Sequence, residues 1–356
     1  MPENLIQYCL EHNIAFAFWR FPGGEIKGVF ANHAVPLQAG KEPNGQGFMV
    51  APFYAEDRLP AYFIRAIKTY PEISQPDEIK TLSSHPVKDN AFPHITTKAE
   101  YIEAFDLLKA AIDKGRIEKV VLSRTRESND INLKVAGKMF VQLEKTYPKA
   151  MAYIFNIPQR GCWIGATPEI LLSKQGQSYE TVSVAGTRAL DSEVEWTKKE
   201  EHEQGVVSTF IERILHTNGI RHFEKKGPEN FTAGNVVHLK TSFSIPENQI
   251  SGKALSVARA LHPTPAVCGI PRNKSRKLIR KAEKHARGFY SGFLGKVDFG
   301  KQEVNLFVNL RCLQVFKDRS VLYAGGGLTK GSEAEKEWEE TQEKTRTLLN
   351  VAEKLK

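Results

Sequence analysis

Two short stretches hold glutamates at spacings that could do chemistry: TKKEEHEQGVVSTFIERIL (197–215) and KEWEETQEK (336–344). At about 100° per residue the first is an amphipathic helix with Val207, Phe210, Ile211 and Ile214 as its apolar stripe. Glu200 and Glu203 extend that stripe, whereas Glu201 points away. In the second, the inner stripe is Trp338, Thr341, Thr345, Leu348, Leu349 and Ala352, bordered by Glu337, Glu340 and Lys344. A carboxylate that loses water without a partner is costly, so such pairs raise their pKa values or hold a cation. Two i,i+3 pairs from separate helices would converge on one hard ion, Mg²⁺ in preference to zinc. Two solvated helix rims, with Glu340 and Lys344 as an ordinary i,i+4 pair, are the plainer alternative that spacing leaves open.

Lys119 is the next anomaly. In IEKVVLSR (117–124) strict alternation puts Ile117, Lys119, Val121 and Ser123 on one face, which gives either an edge-strand lysine or a desolvated amine able to accept a proton. In GATPEILL (165–172), Glu169 follows a turn-forming Thr-Pro and precedes aliphatic residues, a setting that raises a carboxyl pKa and suits a general acid. LYAGGGLTKGS (322–332) offers three glycines whose backbone can approach an anion, although a tight turn explains them too; it is no Walker A loop. Arg311, alone in LFVNLRCLQV (306–315), is suited to clamping a carboxylate or to pairing inside the fold.

These residues need elements to hold them. The patterning predicts helices at 98–114, 134–147, 196–217, 252–261, 273–286 and 332–355. It predicts strands at 118–124, 151–156, 161–165, 169–173, 179–184, 292–298, 303–315 and 320–325. Strands in runs, not alternating singly with helices, favour an α+β protein with antiparallel sheets covered by helices. A proline- and serine-bearing stretch at 71–96 reads as a connection and places a boundary near 95. Residues 1–95 then form a variable N-terminal part packed on a main domain, 96–356.

Composition narrows the class. With 41% hydrophobic and 26% charged residues in 356, the chain is globular, and no apolar run is long enough to span a bilayer. The N-terminus lacks the basic head and apolar core of a secretion signal, and four cysteines with no CxxC pair fit a reducing compartment, so a cytoplasmic protein is expected. Net charge is +9, much of it in RNKSRKLIRKAEKHAR (272–287). That run reads as a solvated basic helix or an anion-steering rim; no aromatic residue interleaves it to stack on bases, and neither a nucleic-acid nor a membrane partner is expected.

Together EKVVLSR (118–124), GATPEILL, VAGTR (184–188), KEEHEQGVV (199–207), VVHLKTSF (236–243), LHPTPAVCGIP (261–271), ARGFYSGFLG (286–295), LRCLQV (310–315) and YAGGGLTKGS with EKEWEETQEK closely resemble the chorismate-utilising enzymes. The resemblance implies a layered α/β/β/α sandwich of large antiparallel sheets with Mg²⁺ and chorismate in a cleft between them. By motif position it makes Glu203 and Glu340 direct metal ligands and Glu200 and Glu337 ligands through water. Tyr323, Ala324, Gly325, Gly326, Gly327, Arg311 and Lys344 become substrate-carboxylate contacts, and His238, Thr264, Gly186 and Thr187 further pocket positions. Gln204 replaces a commoner histidine beside the metal glutamate. Lys119 stands where ammonia-using members carry glutamine, which favours water as nucleophile, and no glutamine amidotransferase subunit is expected. Ala185 stands where aminodeoxychorismate synthases carry a nucleophilic lysine. The expected activity is isochorismate synthesis, with Lys119 as base and Glu169 as acid and a product destined for quinone or siderophore synthesis. The alternative is a salicylate synthase that goes on to eliminate pyruvate.

Overall fold

The computed structural model describes residues 2–38, 43–55, 59–86, 91–189, 196–233 and 236–355, apart from the side chains of 185, 187–189, 199, 232, 233, 236 and 238. Among them, two antiparallel sheets of nine strands each make the centre of the molecule. The first runs Gly269–Ile270, Lys119–Ser128, Ser320–Leu328, Cys312–Val315, Gly161–Thr167, Met151–Ile157, Ala15–Arg20, Ile26–Ala31, Lys68–Tyr70. The second runs Glu224–Ala233, Val236–Pro246, Ser178–Ala189, Ile170–Gln175, Glu303–Val308, Phe293–Asp298, Gln46–Ala51, Tyr62–Arg65, Val35–Pro36.

Side-chain alternation stacks these sheets. On Ala15–Arg20, Phe16 and Phe18 pack outward against the helices Pro2–Glu11 and Ala136–Thr146 through Leu5, Ile6 and Phe140. Ala15, Ala17 and Trp19 face inward and meet Phe48, Val50, Leu294 and Phe307 of the second sheet. That sheet's outer face, with Leu172, Phe243, Ile245 and Leu306, is covered by Phe210, Ile211 and Ile214 of the helix Lys198–Thr217 and by Val257 and Leu261 of the helix Ala254–Leu261. The result is the helix, sheet, sheet, helix layering that the sequence implied.

Three features depart from the sequence reading. The run 303–315 is two strands in different sheets, because the chain crosses at 309–311 with Arg311 in the left-handed region at φ 47. The long strands Glu224–Ala233 and Val236–Pro246 were not anticipated: the first is polar on both faces and exposed over most of its described residues. The helix Pro2–Glu11 was missed as well, and residues before 95 supply three strands to each sheet.

Candidate active site

The strand Lys119–Ser128 carries the site, and its free edge is held in an unusual way. Residues 119 and 120 pair with the two-residue strand Gly269–Ile270. Past that point a buried ion pair replaces a neighbouring strand. Glu283 accepts from the Ser123 backbone N at 2.8 Å and its hydroxyl at 2.9 Å, and Arg287 donates to the Val121 carbonyl at 2.7 Å and to Glu283 at 2.6 Å. Arg287 thus leaves the basic run of 272–287 for the interior, where it is 2% exposed.

Lys119 lies half-buried at the start of this strand. Desolvation holds its amine below the ordinary lysine range, while the charges of Glu203, Glu169 and Glu337 oppose that fall and Lys344 adds to it. Four residues from three separate parts of the chain therefore act on one amine. Glu169 is the complement: burial pushes its carboxyl up to about 7, against the pull of Lys119. It sits where the chain leaves the first sheet for the second, between Gly161–Thr167 and Ile170–Gln175. The second crossing, at 309–311, runs beside it: Val308 N donates to the Glu169 carbonyl at 2.9 Å, the Thr167 hydroxyl to the Val308 carbonyl at 2.6 Å, and Ala166 N to the Arg311 carbonyl at 3.1 Å.

The three glycines stand in the strand Ser320–Leu328, not in a turn, opposite Ser123, Leu122 and Val121. Its other neighbour pairs only with residues 320–323, so from Ala324 onward one edge faces no strand. On that edge Lys344 donates to the Gly325 carbonyl at 2.8 Å. Each glycine makes room for a different group. A Cβ on Gly325 would stand 2.8 Å from the Tyr290 hydroxyl, one on Gly326 2.7 Å from the Glu337 carboxylate, and one on Gly327 2.9 Å from Lys119 Cε. Tyr323, on the same face as Gly325 and Gly327, lies deeper, its ring stacked between Trp163 and Tyr290. Tyr290, to which the sequence assigns no role, is placed by that stacking and by the approach of its hydroxyl to Gly325.

Arg311 is half-buried, and its hydrogen bonds go to neutral oxygens, the Lys344 carbonyl at 3.3 Å and the Thr347 hydroxyl at 3.2 Å. Desolvation lowers its pKa, and Tyr290 and Glu340 counter that. Thr264 is 8% exposed, with a buried hydroxyl that has no hydrogen-bond partner among the described residues. Its loop is tied to the lysine strand, since Val121 N donates to the Cys268 carbonyl at 2.9 Å. Gly186, at φ 70, lies against Trp196 and Glu200. The side chains of Thr187 and His238 fall outside the described residues.

The four glutamates are not gathered into a cage. Among the described residues no three His, Cys, Asp or Glu side chains group closely enough to hold a metal. The charges of Glu203 and Glu337 both act on the Lys119 amine, but Glu340 pairs with Lys344 at 2.5 Å, and Glu200 closes the cap of its own helix, accepting from Thr197 N at 2.7 Å and from its hydroxyl at 2.5 Å. As a donor set they fit a hard divalent cation, oxygen-only and drawn from two helices, once Glu200 and Glu340 exchange these partners.

Comparison with known proteins gives the family and the fold. The sequence profile of a family described as chorismate binding enzyme matches residues 42–353. The chain is 29% identical over 285 residues to the isochorismate synthase EntC of Escherichia coli (strain K12), an alignment covering 76% of this chain and 71% of that one. It is 31% identical over 256 residues to the vibriobactin-specific isochorismate synthase of Vibrio cholerae serotype O1, covering 66% of this chain and 62% of that one. Among solved structures, MenF, the menaquinone-specific isochorismate synthase from Escherichia coli, superposes over 98% of this chain and 91% of its own with a TM-score of 0.77 at 19% identity, a likeness of fold. No helix among the described residues is long and apolar enough to cross a membrane.

Proposed function

The chain belongs to the chorismate binding enzymes, and we propose that it isomerises chorismate to isochorismate at the site around Lys119 and Glu169. One observation carries this reading: a lysine made less basic and a glutamate made less acidic lie within each other's field, beside carboxylates from two further helices. Opposed shifts of this kind suit a base and an acid working in one step. Lys119 takes a proton from the water that attacks ring carbon C2. Glu169 gives its proton to the hydroxyl on C4, which departs as water while the double bond migrates. One water enters and one leaves, so substrate and product are isomers and the step is reversible.

Arg311, Lys344 and the open edge of Gly325 to Gly327 supply positive charge and backbone donors for the substrate's carboxylates. Thr264 offers its unpartnered hydroxyl to the same ligand. A magnesium ion held among Glu200, Glu203, Glu337 and Glu340 would stabilise the negative charge that develops at the ring carboxylate. The curated relatives reported above carry isochorismate synthase names, which favours isomerisation over continued elimination to salicylate. The test is to incubate the purified protein with chorismate and Mg²⁺ and separate the products. Isochorismate is expected; salicylate with pyruvate, or unreacted chorismate, would overturn the reading.

A further inference from the structure

We infer that Gln204 is a positioning residue, fixing the turn of the helix Lys198–Thr217 that presents Glu203 to Lys119; this rests on the function proposed above. The side chain is 1% exposed and spends its hydrogen-bonding capacity on the second sheet and on its own helix. Its Nε2 donates to the Thr241 hydroxyl at 2.6 Å, and its Oε1 accepts from the Ser183 hydroxyl at 2.9 Å. Ser183 and Thr241 face each other across adjacent strands, so one amide bridges a cross-strand pair. Ser208, one turn along the helix, joins through a hydroxyl contact to Ser183 at 2.9 Å and a bond to Gln204 at 3.4 Å.

The rest of this helix docks through Val207, Phe210, Ile211 and Ile214, and apolar contact has no direction. Nothing in that stripe forbids a small rotation or slide. A saturated amide in a dry interface does, because either motion leaves buried polar groups unpaired on the helix and on both strands. Since Glu203 is the preceding residue, what holds Gln204 sets where the carboxylate points.

Titration calorimetry with Mg²⁺ alone on the metal-free full-length protein, together with kcat at saturating Mg²⁺, separates positioning from general stability. Gln204→Leu should weaken Mg²⁺ binding about 10–100-fold while kcat at saturation stays within about threefold. Ser183→Ala, a milder variant should the first not fold, should shift binding in the same direction by less. Ile211→Ala, on the apolar stripe of the same helix, should lower thermal stability at least as much yet bind Mg²⁺ within about twofold of the parent. Parent-like Mg²⁺ binding in both Gln204→Leu and Ser183→Ala, or equal weakening in Ile211→Ala, overturns the inference alone. A parent protein that neither binds Mg²⁺ nor converts chorismate overturns the proposed function and this inference with it.

Discussion

Lys119 and Glu169 each carry a stability cost that the reaction uses. Glu169 has its folded carboxyl raised to about 7 from an ordinary 4.5. Below the lower value both folded and unfolded chains hold the proton; between the two only the folded chain does, so stability falls as pH rises and the loss is complete above about 7. Glu169→Gln cannot ionise and escapes that loss. Its stability relative to the parent should therefore improve by about 1–3 kcal/mol between about pH 4 and about pH 8 in urea unfolding, and an unchanged difference would contradict the burial argument. The same variant should be inactive for want of a proton donor. Lys119→Ala should retain its fold while kcat drops about 10²–10⁴-fold, the ordinary contribution of a general base, and full activity would remove the lysine from that role. Both residues were legible in the sequence because a charged side chain among apolar neighbours breaks its local pattern. Tyr290 was not, since a buried tyrosine fits its apolar surroundings and only the fold shows it stacked on Tyr323 beside the bare Gly325.

The strand Ser320–Leu328 explains why three glycines occur in a row. None of the three needs a positive φ; each clears space on one face or the other for Tyr290, Glu337 or Lys119. Adding a methyl should therefore do something different at each position. Gly326→Ala presses on the Glu337 carboxylate and should raise the Mg²⁺ concentration for half-maximal rate about tenfold. Gly327→Ala displaces the Lys119 side chain and should lower kcat at saturating Mg²⁺ instead. If both variants change the same parameter, the glycines are not separate clearances. Periodicity placed the two acidic helices within a few residues of their observed bounds, since both have one clear apolar stripe. It offered the partner of Glu340, a lysine one turn away, but did not reveal that of Glu200, which comes from a capping box. Nor did it find the strand Glu224–Ala233, whose polar sequence alternates with no apolar face.

Across the whole molecule, the site depends on two adjacent crossings between the sheets, hydrogen-bonded to each other, which bring Glu169 and Arg311 to the same end of the sandwich. Strands in runs made antiparallel sheets covered by helices readable, and the family resemblance implied their layering, but the crossings were hidden: strand-like patterning continues through 303–315 with no glycine or proline to mark that the chain changes sheet at 309–311. The sequence also hides how far residues 1–95 are built into the core. Ala15–Arg20 lies between Met151–Ile157 and Ile26–Ala31, and Gln46–Ala51 pairs with Phe293–Asp298. Deleting residues 1–95 would bare the apolar edges of both sheets, so the fragment should be insoluble or lack a cooperative unfolding transition. A soluble fragment with a sharp transition would show that 96–356 folds alone. The central claim, that this sandwich sets a base and an acid on either side of a water-for-hydroxyl exchange, is tested most directly by running the reaction in ¹⁸O-labelled water. One labelled oxygen should appear on C2 of the isochorismate, with the original C4 oxygen released to solvent; product whose C2 hydroxyl carries no label would contradict the account.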